Sequence, residues 1–271
     1  MGAAITATIP LHGGSIAAVH RVDLADGTRV VAKTAAQSAA FEIEGYMLRY
    51  LRDASALPLP EVLLAEYDLL LMSYIEAGDA LDVDAEIHAA DLLAALHAIE
   101  GPGFGHERDT LIGPLAQPNP WTESWRDFFR DRRLLAMGRV AHDAGHLPAD
   151  TLRMLETLCG RLDKFIPADS SPSLIHGDMW GGNVLCREGR IAGFIDPAIY
   201  HADAEIELAF STLFGTFGDA FFRRYAEHRP IAPEFFRERR DLYNLYPLLV
   251  HTALFGGSYA RSAAQTIGRF L

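Results

Sequence analysis

The hydrophobic pattern of this 271-residue chain changes period at about residue 80, and that change limits the folds open to it. Upstream, short apolar runs are cut by turn signals. Residues 15–22 and 28–33 flank Asp26-Gly27, a dipeptide suited to the positive φ angles of a two-residue hairpin turn. Residues 62–66 and 69–74 flank Asp68 and read as a second hairpin. Between the hairpins, 38–53 carries apolar residues at helical spacing through Phe41, Met47, Leu48 and Leu51, until Pro58 and Pro60 break the pattern. Downstream, helical spacing recurs over 82–99, 122–143, 150–165, 205–227, 234–252 and 256–270. Residues 172–200 stand apart, with short apolar pieces separated by Gly and Pro. The pattern predicts an α+β fold in two lobes: an antiparallel sheet with one helix over 1–75, and a mainly helical lobe over 76–271 with a loop-and-hairpin insert. Residues 101–121, rich in Gly and Pro, have little periodicity and are expected to be functional or mobile.

The insert carries the strongest chemical signal. His176-Gly177-Asp178-Met179-Trp180-Gly181-Gly182-Asn183 precedes Phe194-Ile195-Asp196-Pro197. The Asp-to-Asn separation matches the H-R-D-x-x-x-x-N catalytic loop of protein kinases. In such a loop an Asp accepts a hydrogen bond from the hydroxyl to be phosphorylated, while the Asn faces a cation beside the phosphates. Asp178 is therefore the candidate base, and Asn183 and Asp196 are candidate Mg²⁺ ligands, since that ion takes hard oxygen donors. The chain has three asparagines (Asn119, Asn183 and Asn244), so a chance match is hard to arrange. The plainer reading is a set of turn residues in a Gly-rich loop. The order of the upstream parts argues against it. His176 is expected to orient the loop rather than carry a proton.

Lys33 ends an apolar strand, as the phosphate-pairing lysine of a kinase does. Of the chain's 24 basic residues only Lys33 and Lys164 are lysines; the rest are arginines. A lysine surviving that bias suggests a place where a compact ammonium fits and a planar guanidinium does not. Glu44 on the first helix is the preferred partner, flanked by Phe41 and Leu48; Glu42 is the competitor and points to a different face. Gly13-Gly14-Ser15 precedes the first hairpin and suits a loop folded over ATP phosphates, although it is no Walker A motif. Met72, Ser73, Tyr74 and Ile75 run from the last strand into the second lobe, where their backbone could pair with an adenine edge. The stretch between Asp196 and the helix near Glu205 is too short for a protein-kinase activation loop, and no A-P-E segment occurs.

The formal net charge of −12 disfavours non-specific nucleic-acid or membrane binding. No run of 18 apolar residues and no signal-peptide pattern is evident, and two cysteines make no disulfide framework. A cytoplasmic monomer is expected.

With these residues assembled, the chain resembles the fructosamine kinase (ketosamine-3-kinase) family, in the aminoglycoside phosphotransferase-like branch of the protein-kinase fold. The family's HGDLWSGN loop stands here as HGDMWGGN at 176–183, and its D-P-A segment as Asp196-Pro197-Ala198. FGHERDTLIGPLAQPNPW at 104–121 and LFGGSY at 254–259 look like family signatures that aminoglycoside and choline kinases lack. The resemblance implies a bilobal protein-kinase-like fold. It implies transfer of the ATP γ-phosphoryl group, with Mg²⁺, to the sugar 3-hydroxyl of a glycated small amine or glycated protein lysine. By motif match, Asp178 is the base, Asn183 and Asp196 hold metal, and Lys33 and Glu44 clamp phosphates. Trp180 either lies under the sugar or amine or fills the core, and Asn119, Asp203 and Tyr259 are further candidates for substrate contact. Glu207 stands where the family commonly has Asp, one methylene shorter, which leaves its loop-anchoring role open. Ser15 stands where some members carry a redox-sensitive Cys, so that control is expected to be absent. The alternatives are an aminoglycoside- or choline-type phosphotransferase and, in another class, an inactive nucleotide-binding module.

Overall fold

The computed structural model describes residues 2–11, 17–35 and 40–271. Gly13, Gly14 and Ser15, expected to form a phosphate loop, lie outside the described residues. The first part of the chain forms a five-stranded antiparallel sheet in the order β1-β2-β3-β5-β4. Its strands are β1 (Ile5–Pro10), β2 (Ala18–Leu24), β3 (Arg29–Thr34), β4 (Val62–Ala65) and β5 (Leu69–Ser73). Asp26-Gly27 turns β2 into β3, with Gly27 at φ 85° and Asp26 accepting from the Thr28 N–H. The sequence pattern missed β1. It is an edge strand with nearly every side chain exposed, so neither face imposes the alternation that marks a half-buried strand.

Helix α1 (Ala40–Ala54) joins the sheet to the rest. Phe41 and Leu48 pack with Leu70 and Met72 of β5, while Met47 and Leu51 enter the main core. The apolar stripe is thus shared between two clusters, and Glu44 is carried between them. Burying four such side chains contributes roughly 1.5–3 kcal/mol each before the cost of ordering the chain.

The second part is mainly helical. Helix α2 (Val83–His97), capped by Asp82, buries Ala85, Ala89, Ala90, Leu93 and Ala94. A hairpin of β6 (Thr110–Ile112) and β7 (Leu115–Gln117) follows, turned by Gly113 at φ 56°. Of the two expectations for 101–121 the functional one fits: Leu111, Ile112, Gly113 and Pro114 line a cavity, while Phe104, His106, Thr110, Ile112, Gln117 and Asn119 are buried. The segment is held by individual side chains, so it shows no period. The predicted helix over 122–143 runs through α3 (Trp125–Phe128), a π-helical stretch Phe129–Leu135 and α4 (Ala136–Asp143). Helix α5 (Ala149–Cys159) precedes the insert.

In the insert, β8 (Ser173–Ile175) pairs with β11 (Tyr200–Ala202), and β9 (Val184–Arg187) with β10 (Arg190–Phe194). Residues 176–183 are thus strung between two short antiparallel pairs. The predicted helix over 205–227 is two helices, α6 (Glu205–Leu213) and α7 (Asp219–His228). Gly215, at φ 64°, provides the left-handed residue that ends the first, although apolar spacing continues past the break. The region predicted as one helix over 234–252 comprises a π-helical stretch Phe235–Arg239, α8 (Arg240–Tyr243) and α9 (Leu245–Phe255); α10 (Ser258–Arg269) closes the chain. No helix of the described residues is long and apolar enough to cross a membrane.

Candidate active site

Lys33 stands on β3 opposite Val19 and Leu70, and its side chain is buried. Its Nζ lies 2.7 Å from Glu44 Oε1 and donates also to Asp196 Oδ1. Burial disfavours the ammonium, but the Glu44 and Asp196 carboxylates outweigh it and hold Lys33 above the ordinary lysine range. Glu42 is exposed and Lys164 lies at the surface. Asp196 has the left-handed backbone conformation, φ 55°, which costs a non-glycine residue about 1–2 kcal/mol.

Asp178 lines the same cavity as Lys33 and lies in the loop between β8 and β9. Asn183 Nδ2 donates to Asp178 Oδ2 at 2.8 Å and to the Asp178 carbonyl at 2.9 Å. The motif's five-residue separation is therefore a closed ring of side-chain and backbone hydrogen bonds. Asn183 Oδ1 accepts no hydrogen bond among the described residues. Burial raises the Asp178 carboxyl to about 7, reinforced by the Asp196 and Glu207 charges and opposed by the Asn183 hydrogen bond. A base with that value holds and releases a proton near neutrality.

The loop is fixed from behind by Glu207 on α6. Its Oε1 accepts from Gly177 N at 2.6 Å, and its Oε2 from His176 N at 3.2 Å. His97, the last residue of α2, places Nε2 2.8 Å from Oε2 and Nδ1 2.7 Å from the Tyr225 hydroxyl on α7. Burial pushes the Glu207 carboxyl up, but its hydrogen bonds to His97 and the Gly177 N–H bring it below the ordinary range. The question left open by the longer side chain thus has an answer: Glu207 reaches two loop N–H groups. Gly177 is required at φ 86°, where a Cβ would lie 2.0 Å from the Ala198 carbonyl oxygen. Gly182 is required for a different reason: its missing Cβ is replaced by the Trp180 ring, 2.3 Å from where that carbon would stand. His176 is fully buried and burial keeps it neutral, as befits an orienting residue.

In front of the loop lies a cavity of about 610 Å³, which Glu207, His97 and His176 do not reach. Lys33, Glu44, Asp178, Trp180, Asn183 and Asp196 all face it, as do Met72, Ser73, Tyr74 and Ile75. Trp180 is 37% exposed, which removes the core-filling alternative for it. Asn119 and Asp203 do not reach the cavity, and their expected substrate contacts need correction. Asn119 is 1% exposed; its Oδ1 accepts from Arg133 and its Nδ2 donates to Thr110 Oγ1. Asp203 accepts from the Ser170 and Tyr243 hydroxyls and the Glu205 N–H. Tyr259 does not line the cavity; it is half-buried, its ring 4.9 Å from that of His251, which does.

A sequence profile for the family described as fructosamine kinase matches residues 1–271. The chain belongs to the fructosamine kinase family. A protein named as a probable ketoamine kinase in Synechocystis sp. is 37% identical over 213 residues, 76% of this chain and 69% of that protein. A second so named, in Vibrio parahaemolyticus, is 33% identical over 237 residues, 85% of this chain and 80% of that protein. A crystal structure from Thermobifida fusca, described as a candidate fructosamine-3-kinase, superposes with a TM-score of 0.89 at 30% identity. It covers 99% of this chain and 94% of the other. As a fructosamine kinase family member the chain is an ATP-dependent phosphotransferase with a protein-kinase-like fold.

Fructosamine kinase family membership leaves the metal to be tested on this chain's own atoms. Asn183 Oδ1 and Asp196 Oδ2 take no hydrogen bond among the described residues and both residues line the cavity. One amide oxygen and one carboxylate form a hard, sparse donor set, which fits Mg²⁺, an ion that keeps several waters and shares phosphate oxygens. Among the described residues no group of three or more His, Cys, Asp or Glu gathers as a protein-only metal cage.

Proposed function

We propose that the chain phosphorylates the sugar 3-hydroxyl of ketosamines, glycated small amines or glycated protein lysines, by direct in-line transfer from ATP. The observation that carries this reading is the convergence of the Lys33–Glu44–Asp196 cluster and the Asp178–Asn183 ring on one cavity. Residues 1–75 hold the nucleotide and residues 76–271 bring the acceptor. Lys33, held charged by Glu44, orients phosphate oxygens. The Ile75 main chain, which makes no backbone hydrogen bond among the described residues, is available to the adenine edge. Asn183 and Asp196 are the residues to hold Mg²⁺, which when bound supplies charge neutralisation at the phosphates. Asp178 Oδ1 is the oxygen to accept the acceptor hydroxyl's proton, with Asn183 holding Oδ2 and so fixing the carboxylate's rotation. Trp180 offers an indole face to the acceptor beside Asp178. The protein's contribution is positioning and charge placement, since the reaction needs no covalent enzyme intermediate.

The test is Asp178→Asn. The variant keeps size and polarity but cannot take the proton. Turnover of a ketosamine should fall by at least about 10²-fold, the contribution of a positioned general base, with ATP still bound in calorimetry. Wild-type kcat in that variant would remove Asp178 from the reaction.

A further inference from the structure

We propose that His251 is a specificity-determining residue that accepts a hydrogen bond from the acceptor's secondary ammonium through Nε2. The inference rests on the ketosamine reading above and says which part of the acceptor each wall of the cavity meets.

His251 lies on α9 and lines the same cavity as Asp178 and Trp180. Its Nδ1 is 2.8 Å from the Pro247 carbonyl oxygen. A carbonyl can only accept, so Nδ1 carries the ring hydrogen and Nε2 carries a lone pair. Burial lowers the basicity of the ring, with the Pro247 hydrogen bond opposing, so the lone pair stays available at neutral pH. Nε2 has no partner among the described residues. The side chain is thus a hydrogen-bond acceptor whose tautomer is set by the helix that bears it.

Its surroundings select the donor. The Phe214 ring centroid lies 5.2 Å from that of His251, Phe255 5.9 Å and Tyr259 4.9 Å, and Phe214 stands edge-on to Trp180 at 6.4 Å. An aromatic strip therefore runs from the catalytic loop along α9, with Phe214 and Phe255 about half exposed. Aromatic faces attract a cation and offer nothing to the further hydrogen bonds that a sugar hydroxyl demands. Lys33 is the only Lys or Arg on the cavity wall among the described residues, and it is engaged by Glu44 and Asp196. In a ketosamine the amine is on C1 and the reacting hydroxyl on C3, so one molecule presents its hydroxyl to Asp178 and its ammonium to the strip. The amine's substituent leaves toward solvent past Phe255.

The experiment compares two acceptors, a 1-benzylamino-1-deoxyketose and its 1-O-benzyl ether analogue, which lacks the N–H. The ratio of their kcat/KM values is measured for wild type, His251→Phe and His251→Gln at saturating ATP. Phe keeps the ring and removes the acceptor; Gln restores an oxygen where Nε2 stood. The wild-type preference for the amine should fall about 10- to 100-fold in His251→Phe, the worth of a hydrogen bond to a charged group, and recover in His251→Gln. An unchanged ratio in a folded His251→Phe variant overturns the inference, as does equal loss for both acceptors. Wild-type enzyme that phosphorylates neither acceptor removes the ketosamine reading and this inference with it, a result distinct from an unchanged ratio.

Discussion

Glu207→Gln isolates what holds the catalytic loop. The carboxylate accepts from Gly177 N, His176 N and His97 Nε2, and its side chain is 1% exposed. Gln has one acceptor oxygen in place of two. If its NH₂ replaces Oε1 it confronts the Gly177 N–H; if it replaces Oε2 it confronts both the His176 N–H and His97. At least one buried donor is therefore left without a partner, at about 1–3 kcal/mol, and the surviving hydrogen bonds lose the charge that roughly doubles them. The expected loss is about 2–4 kcal/mol, against a total stability on the order of 5–15 kcal/mol. The variant should fold, with Tm lowered by about 4–7 °C in calorimetry. Because Gly177 adjoins Asp178, a loop displaced by about 1 Å should also lower kcat on the order of 10²-fold.

The pH dependence supplies an independent check. The Glu207 carboxyl is depressed in the folded protein, so its stabilisation is fully present above the unfolded carboxyl value, about 4.5, and is lost as pH falls through the lower folded value. The Tm gap between wild type and Glu207→Gln should thus be widest near neutrality and shrink below about pH 4.5. A Tm within a degree or so of wild type together with unchanged kcat would refute the anchoring argument. So would a gap that widens on acidification.

Asp196→Ala removes a charge partner of Lys33 and a hard oxygen at the cavity, so Mg²⁺-dependent nucleotide binding should be lost in calorimetry. Lys33→Arg keeps the charge but places a larger planar group between Glu44 and Asp196; the KM for ATP should rise on the order of tenfold or more, read from initial rates. Asn119→Ala leaves the buried Arg133 Nη2 without its acceptor, while Thr110 Oγ1 keeps Gln117 and the Ile199 carbonyl, so Tm should drop by an amount reflecting about 1–3 kcal/mol while the acceptor KM holds. A changed KM with unchanged Tm would return Asn119 to the substrate.

What could be read from the sequence follows from the range of the forces involved. The β2–β3 hairpin and α1 are specified by neighbours a few residues away, through Asp26-Gly27 and the Phe41–Leu51 stripe, so local pattern was enough. The Asp178–Asn183 ring closes within five residues, and Lys33's distinction showed in composition because arginine replaces lysine everywhere but at Lys33 and the exposed Lys164. The errors fell where contacts are long-range or local signals conflict. Asn119 carried a family signature that marks a segment, yet its own side chain serves a buried Arg133 fourteen residues on. Helix spacing persisted across Gly215 because Phe214 and Phe217 continue the apolar rhythm beyond the helix end. Glu207 is the extreme case. Its partners lie 30, 31 and 110 residues away, and no periodicity or spacing encodes that. A carboxylate set within an apolar run, among Ile206, Leu208, Ala209 and Phe210, was the available signal. Burying such a group is tolerable only if it is fully hydrogen-bonded, so its presence in that run already required donors from elsewhere in the chain. The N–H groups of a tight loop at a Gly are suitable donors, and His176-Gly177 is such a loop.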